Sequence, residues 1–97
     1  MAAVIEVKKA SDGNPVELDV RVREGGGESR HRVTLGKATL AQLGGGDEAA
    51  LVEAAFRFLL DREPKESILS RFDLTVIERY FPEFPREIAR YRAGDGR

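Results

Sequence analysis

Four arginines, Arg21, Arg23, Arg30 and Arg32, recur at every second position of two neighbouring segments, "VELDVRVR" and "SRHRVTL". Side chains at that spacing share one face of an extended chain, and planar guanidinium forks on one face suit a phosphate or a carboxylate. If the two segments pair, Arg21 faces Arg30, a like-charge contact that a bound anion would relieve. Asp19 and Glu28 neutralise part of the cluster, and the face carries no aromatic residue to stack on a base. A second group with chemistry to offer lies in "ERYFPEFPREI", residues 78–88. Its Tyr80, Phe81 and Phe84, together with Phe58 and Tyr91, are more large apolar side chains than a small sheet can cover. That excess points to a surface for a protein partner or a second copy of the chain. The same stretch also has a mechanical reading: Pro82 stops one helix, Pro85 starts another, and the aromatics bridge the corner.

Catalytic arrangements are scarce. With no cysteine and a single histidine, His31, thiolate chemistry, disulfides and the common zinc sites are closed off, and any triad must use that one imidazole. On the inner face near a strand end, His31 reads as an ordinary, partly buried histidine. "SDGNP" lacks the spaced carboxylates of a calcium loop. "LGKAT" lacks the glycine that a phosphate loop needs five residues before Gly36, and Ala38 stands where such a loop needs Ser or Thr. Asp47 and Glu48 would repel a phosphate from the helix start after "GGG". Asp61 and Glu63, two apart on a helix, diverge. The expectation is a non-catalytic protein without cofactor or metal: an interaction module first, a nucleic-acid or anion binder through the arginine cluster second.

The chain has 97 residues, 41% of them hydrophobic and 34% charged, with 16 basic against 17 acidic side chains. That composition suits a folded domain, and the near-zero net charge steers it toward neither nucleic acid nor anionic membrane. No segment is apolar for long enough to span a bilayer. All seven aromatics fall between Phe56 and Tyr91, whereas eight of the 10 glycines fall before residue 47. The two halves are built differently.

In the first half the apolar period is two, giving three strands with Val16, Leu18, Val20 and Val22 on the inner face of the middle one. A two-residue Asp12-Gly13 turn would set Val7 opposite Leu18, Ile5 opposite Val20 and Lys8 opposite Glu17. The hydrogen-bonding parity of that hairpin then excludes a Gly25-Gly26 turn closing on Glu24 and Gly27. It calls for a four-residue loop closing on Arg23 and Glu28, with Leu18 facing Val33 and Asp19 facing Arg32. From residue 37 the period becomes helical. "KATLAQLGGG" forms a short helix with Thr39 as its cap, and Asp47 caps the main helix, which runs to Pro64 with acid-first pairs Glu53–Arg57 and Asp61–Lys65. "PKESILSRF" forms another short helix, Asp73 caps "LTVIERYF", and "PREIARYR" closes the domain. The predicted fold is α+β: a three-stranded antiparallel β-meander (1–36), then four to five short helices (37–93) packed on one sheet face. Residues 1–93 form one domain and 94–97 a flexible tail.

The segment "FLLDREPKESILSRFDLTVIERYFPEF", residues 58–84, resembles a stretch of small uncharacterised bacterial proteins. It covers under a third of the chain. The resemblance implies a bacterial origin and a genuine domain, and assigns no role to any residue. A cytoplasmic location is expected.

Overall fold

Alternating apolar and charged side chains build three long strands, β1 Val4–Ser11, β2 Val16–Glu24 and β3 Gly27–Leu35, each antiparallel to the next. Val16, Leu18, Val20 and Val22 are buried together with Ile5, Val33 and Leu35. Arg21, Arg23 and Arg30 stand on the opposite, solvated face. The computed structural model describes residues 3–92, so the proposed tail at 94–97 lies outside the described residues. The sheet also has a member that the sequence reading assigned to a helix. Arg71–Asp73 forms β4, parallel to β3, and makes the sheet mixed, in the order β1-β2-β3-β4.

The β2–β3 register is as expected, with Leu18 opposite Val33, Asp19 opposite Arg32 and Arg21 opposite Arg30. The turn is not. Gly25 and Gly26, at φ 61° and 83°, close on Glu24 and Gly27, the arrangement that a two-residue Asp12-Gly13 turn would exclude. Both glycines need the left-handed backbone that this turn type demands. The difference starts in the first hairpin. There Val7 pairs with Val20, Ile5 with Val22 and Lys8 with Asp19, and the register shifts between Lys9 and Ser11. Asp12–Pro15 is a longer connection than a two-residue turn, so it does not impose that turn's parity on β2. The Arg32 amide donates to the Ser70 carbonyl (2.8 Å) and the Leu74 amide to the Thr34 carbonyl (2.9 Å). Even-numbered β3 residues therefore bond toward β4, which leaves the odd-numbered ones, including Gly27 opposite Glu24, to bond toward β2.

The helices cover the inner face. After α1 (Lys37–Gln42), which begins at Gly36 and so leaves Thr39 without a capping role, Gly44, Gly45 and Gly46 all take positive φ. The main helix, α2 Glu48–Leu60, is capped as expected: the Ala50 amide donates to Asp47 Oδ2 at 2.9 Å. Its buried stripe includes Leu51, Val52, Ala55, Phe56, Phe58 and Leu59, and it packs across β1. Glu53 and Arg57 pair at 2.8 Å. Asp61 and Lys65 do not, because the chain leaves the helix after Leu60; Lys65 instead pairs with Glu66 at 2.7 Å. Lys65–Ser67 is a single 3-10 turn, and the chain then runs into β4. Short helices α3 Val76–Tyr80 and α4 Phe84–Arg92 follow, with Pro82 between them and Pro85 in the first turn of α4. Asp73 is not the cap of α3; that position is Thr75.

One side chain fastens the helical half to the sheet. His31, 5% exposed, lies with its ring 5.2 Å from that of Phe56. Its Nδ1–H donates to the Leu69 carbonyl at 2.7 Å, and its Nε2 shares a hydrogen bond with the Ser29 hydroxyl at 2.8 Å. A carbonyl can only accept, so Nδ1 carries a proton in this pairing. His31→Ala leaves that carbonyl without its partner and a void beside Phe56. The expected loss is roughly 2–3 kcal/mol of unfolding free energy, read as a lower urea midpoint with an unchanged slope.

Candidate functional site

The five aromatics expected on a partner surface divide once their surroundings are seen. Phe58 and Phe84 are fully buried, Phe81 and Tyr91 are half-buried, and Tyr80 alone is open to solvent at 68% exposure. Phe58 is the hub: the rings of Phe84, Tyr91 and Phe81 meet it edge-on at 5.0, 5.7 and 5.9 Å. Arg62 lies over it with its guanidinium carbon 3.7 Å from the ring centre. That guanidinium donates to Glu83 (3.1 Å), to the Phe58 carbonyl (3.2 Å) and to the Tyr91 hydroxyl (3.4 Å). Burial works against its charge, but the bonds to Tyr91 and Glu83 outweigh that and raise its affinity for the proton. As a partner surface the set is therefore corrected. Edge-to-face packing and a cation–π contact make the stretch around Pro82 and Pro85 an internal joint between α2 and α4.

The exposed Tyr80 belongs to a different feature. With Leu69, itself 48% exposed, it rims an apolar cleft of about 250 Å³ whose lining includes Ile68, Phe72, Val76 and Ile77. No residue of β1, β2 or β3 lines this cleft; its walls come from the segment 67–72, from α3 with Phe81, and from Leu59 of α2 with Glu63. The sequence reading saw Ile68, Leu69 and Phe72 only as one face of a short helix. The available signal was the alternation of exposed Arg71 and buried Phe72, half-buried Asp73 and buried Leu74, too brief to outweigh the helical reading.

Asp73, beside the cleft, ties β4 to β3 and to the start of α3. Its carboxylate accepts from Thr34 Oγ1 on β3 (2.6 Å) and, at the entry of α3, from Thr75 Oγ1 (2.7 Å) and the Thr75 amide (3.1 Å). Partial burial opposes its ionisation, yet these bonds outweigh the burial and keep the carboxyl below its ordinary 3.8.

On the outer sheet face the four arginines do come together, each with a carboxylate. Arg23 bonds Glu6 (2.8 Å), and Arg32 bonds Asp19 (2.5 Å) and Glu17 (2.9 Å). Arg21 and Arg30, directly opposite each other, share Glu28 at 3.7 and 2.8 Å. The strain expected between them is thus met from within the sheet. The bond from Arg30 lowers the Glu28 pKa, and Asp19 raises that of Arg32. Around the middle of this face a shallow trough is lined by Lys8, Arg21, Arg30, Arg32 and Arg71 against Glu6 and Asp19.

Among the described residues, no group of three or more His, Asp or Glu side chains is placed to hold a metal ion, and no helix is long and apolar enough to cross a membrane. No protein-family model, curated protein or solved structure matches the chain. The candidate sites therefore rest on geometry alone.

The sign of the Asp73 effect is fixed by its lowered pKa. A carboxyl whose folded-state value lies below 3.8 adds stability that is present above 3.8 and is lost as pH falls through the lowered value. Asp73→Asn is expected to cost roughly 1 kcal/mol near neutral pH. The gap to the unaltered protein should close as the pH is brought below 3.8; denaturant midpoints of both proteins across that range check it.

Proposed function

We propose that the chain is a non-catalytic protein-interaction module whose apolar cleft beside β4 receives a segment of another protein. The observation that carries this reading is the pair Leu69 and Tyr80, 48% and 68% exposed at the rim of a pocket whose floor includes buried Leu59, Ile68, Phe72 and Ile77, with Glu63 and Ser67 beside them. Apart from Val4 on β1, the other large apolar side chains among the described residues are buried or half-buried, and a tyrosine at the edge of an apolar depression is the type of residue that dominates interface energetics. The cleft is small, so it would take two or three side chains rather than a broad surface.

Because both rim residues are exposed, Leu69→Glu with Tyr80→Glu should change stability by no more than about 0.5 kcal/mol each. A partner captured from the source organism by the unaltered chain, then purified, should bind the double variant about a hundredfold more weakly, the loss of two interface anchors. Equal binding by both forms sinks the cleft as the docking site. Sizing over a range of concentrations reports the self-associating version: a dimer that the double variant abolishes makes a second copy the partner.

A second reading, nucleic-acid or anion binding on the outer sheet face, draws on one observation. Lys8 and Arg71 line the trough and join none of the salt bridges among the described residues. Its weakness is that Arg21, Arg23, Arg30 and Arg32 already carry their own counter-ions. It requires affinity for DNA or RNA that falls with added salt and disappears in Arg21→Glu with Arg30→Glu; no binding at low salt eliminates it.

A further inference from the structure

β4 is an edge strand. Ser70 and Leu74 direct their backbone groups toward β3, so the alternation of a parallel ladder turns the amides and carbonyls of Arg71 and Asp73 the other way. Among the described residues no backbone hydrogen bond from another element reaches them. β1, the other edge, carries Glu6, Lys8 and Lys9, charges of the kind that discourage pairing. β4 is only three residues long and carries Arg71 and Asp73 on its outer face, but its inner side, at Phe72, is apolar. Phe72 faces the apolar cleft there, with Val76, Ile77 and Tyr80 of α3 across from it. The middle residue of an unpaired edge strand thus lines the apolar cleft.

Resting on the cleft as the docking site, we infer that its occupant is an extended peptide of another protein that adds to the sheet along β4. Main-chain bonds to Arg71 and Asp73 hold the added strand in register, and period two sends its alternate side chains into the cleft. The pocket of about 250 Å³ has room for few of them, so the apolar positions of the peptide are few and spaced by one residue. The residues between them point to the outer face, where Arg71 stands exposed at the trough it shares with Lys8; these are the two trough cations that join none of the salt bridges among the described residues. Charge complementarity makes those residues acidic. The recognised pattern is apolar, acidic, apolar in an extended chain, as distinct from the three-and-four spacing of an amphipathic helix.

The test uses the full chain and a phage-displayed library of eight-residue peptides, with the tightest binder then made synthetically. Strand addition expects selected peptides with apolar residues at alternate positions and an acidic residue between them. It also expects slowed hydrogen exchange at the Arg71 and Asp73 amides on binding. N-methylating the peptide amides on the side facing β4 should weaken binding about tenfold, one hydrogen bond with its partner left unsatisfied, and methylating the others should not. Arg71→Glu should lower affinity for the acidic peptide by a similar factor. Selected peptides with helical spacing, no change at Arg71 and Asp73, and loss of binding in Leu69→Glu with Tyr80→Glu would overturn strand addition while leaving the cleft reading intact. No retained peptide, or peptides indifferent to the Leu69 and Tyr80 changes, would overturn both. If the unaltered chain alone is a dimer with those two amides already protected, the occupant is a second copy and the inference of a foreign peptide fails.

Discussion

The bond from the His31 imidazole to the Leu69 carbonyl spans 38 positions of sequence and joins the two halves of the molecule. One ring satisfies a backbone acceptor at the mouth of β4, shares a hydrogen bond with Ser29 and packs on Phe56 of α2. Buried polar groups are tolerated only when paired, so the ring and the carbonyl constrain each other. The segment that holds Leu69 cannot drift from β3 without leaving both unsatisfied. That constraint sets Phe72 against the inner face and brings β4 to the sheet edge. The cleft exists because the chain is held there and then turns at once into α3.

A second joint closes the far side. Phe58 receives three aromatic edges and a guanidinium face, and Arg62 draws Glu83, Tyr91 and the end of α2 together. Arg92 performs a related task at the end of α4. Its guanidinium donates to the Leu43 and Gly45 carbonyls at 2.8 and 2.6 Å, satisfying groups that a helix end and a left-handed glycine run leave open. Large aromatics in short helices therefore serve mainly as couplings here. Tyr80 stands apart because it lies at the end of α3, pointing beyond the cluster that occupies Phe81 and Phe84.

The outer sheet face shows how cross-strand register decides charge. Alternation placed the arginines on one side, and pairing of β2 with β3 set Arg21 against Arg30. Whether that contact is a strained anion site or a solvated lattice depends on where Glu6 and Glu28 fall. With β1 displaced from the turn-derived register, Glu6 stands opposite Arg21 and reaches Arg23 as well. A two-residue shift kept every apolar residue on its face and still changed which charges meet.

Much of the fold was legible in the order of residue types. Period two in residues 4–35 determines strands and faces, because side chains of an extended chain alternate whatever their partners. Asp47, Pro82 and Pro85 determine helix limits through local hydrogen bonding and a fixed φ. These are short-range effects, carried by neighbours in the chain. The strand at Arg71–Asp73, the burial of Phe58 and Phe84, and the cleft rimmed by Leu69 and Tyr80 were decided only by the tertiary structure. A three-residue strand has too little periodicity to announce itself and is stabilised by a partner strand and by His31, both distant in sequence. Exposure, likewise, is a property of what packs against a side chain, and no spacing of aromatics along the chain encodes which one is left facing water.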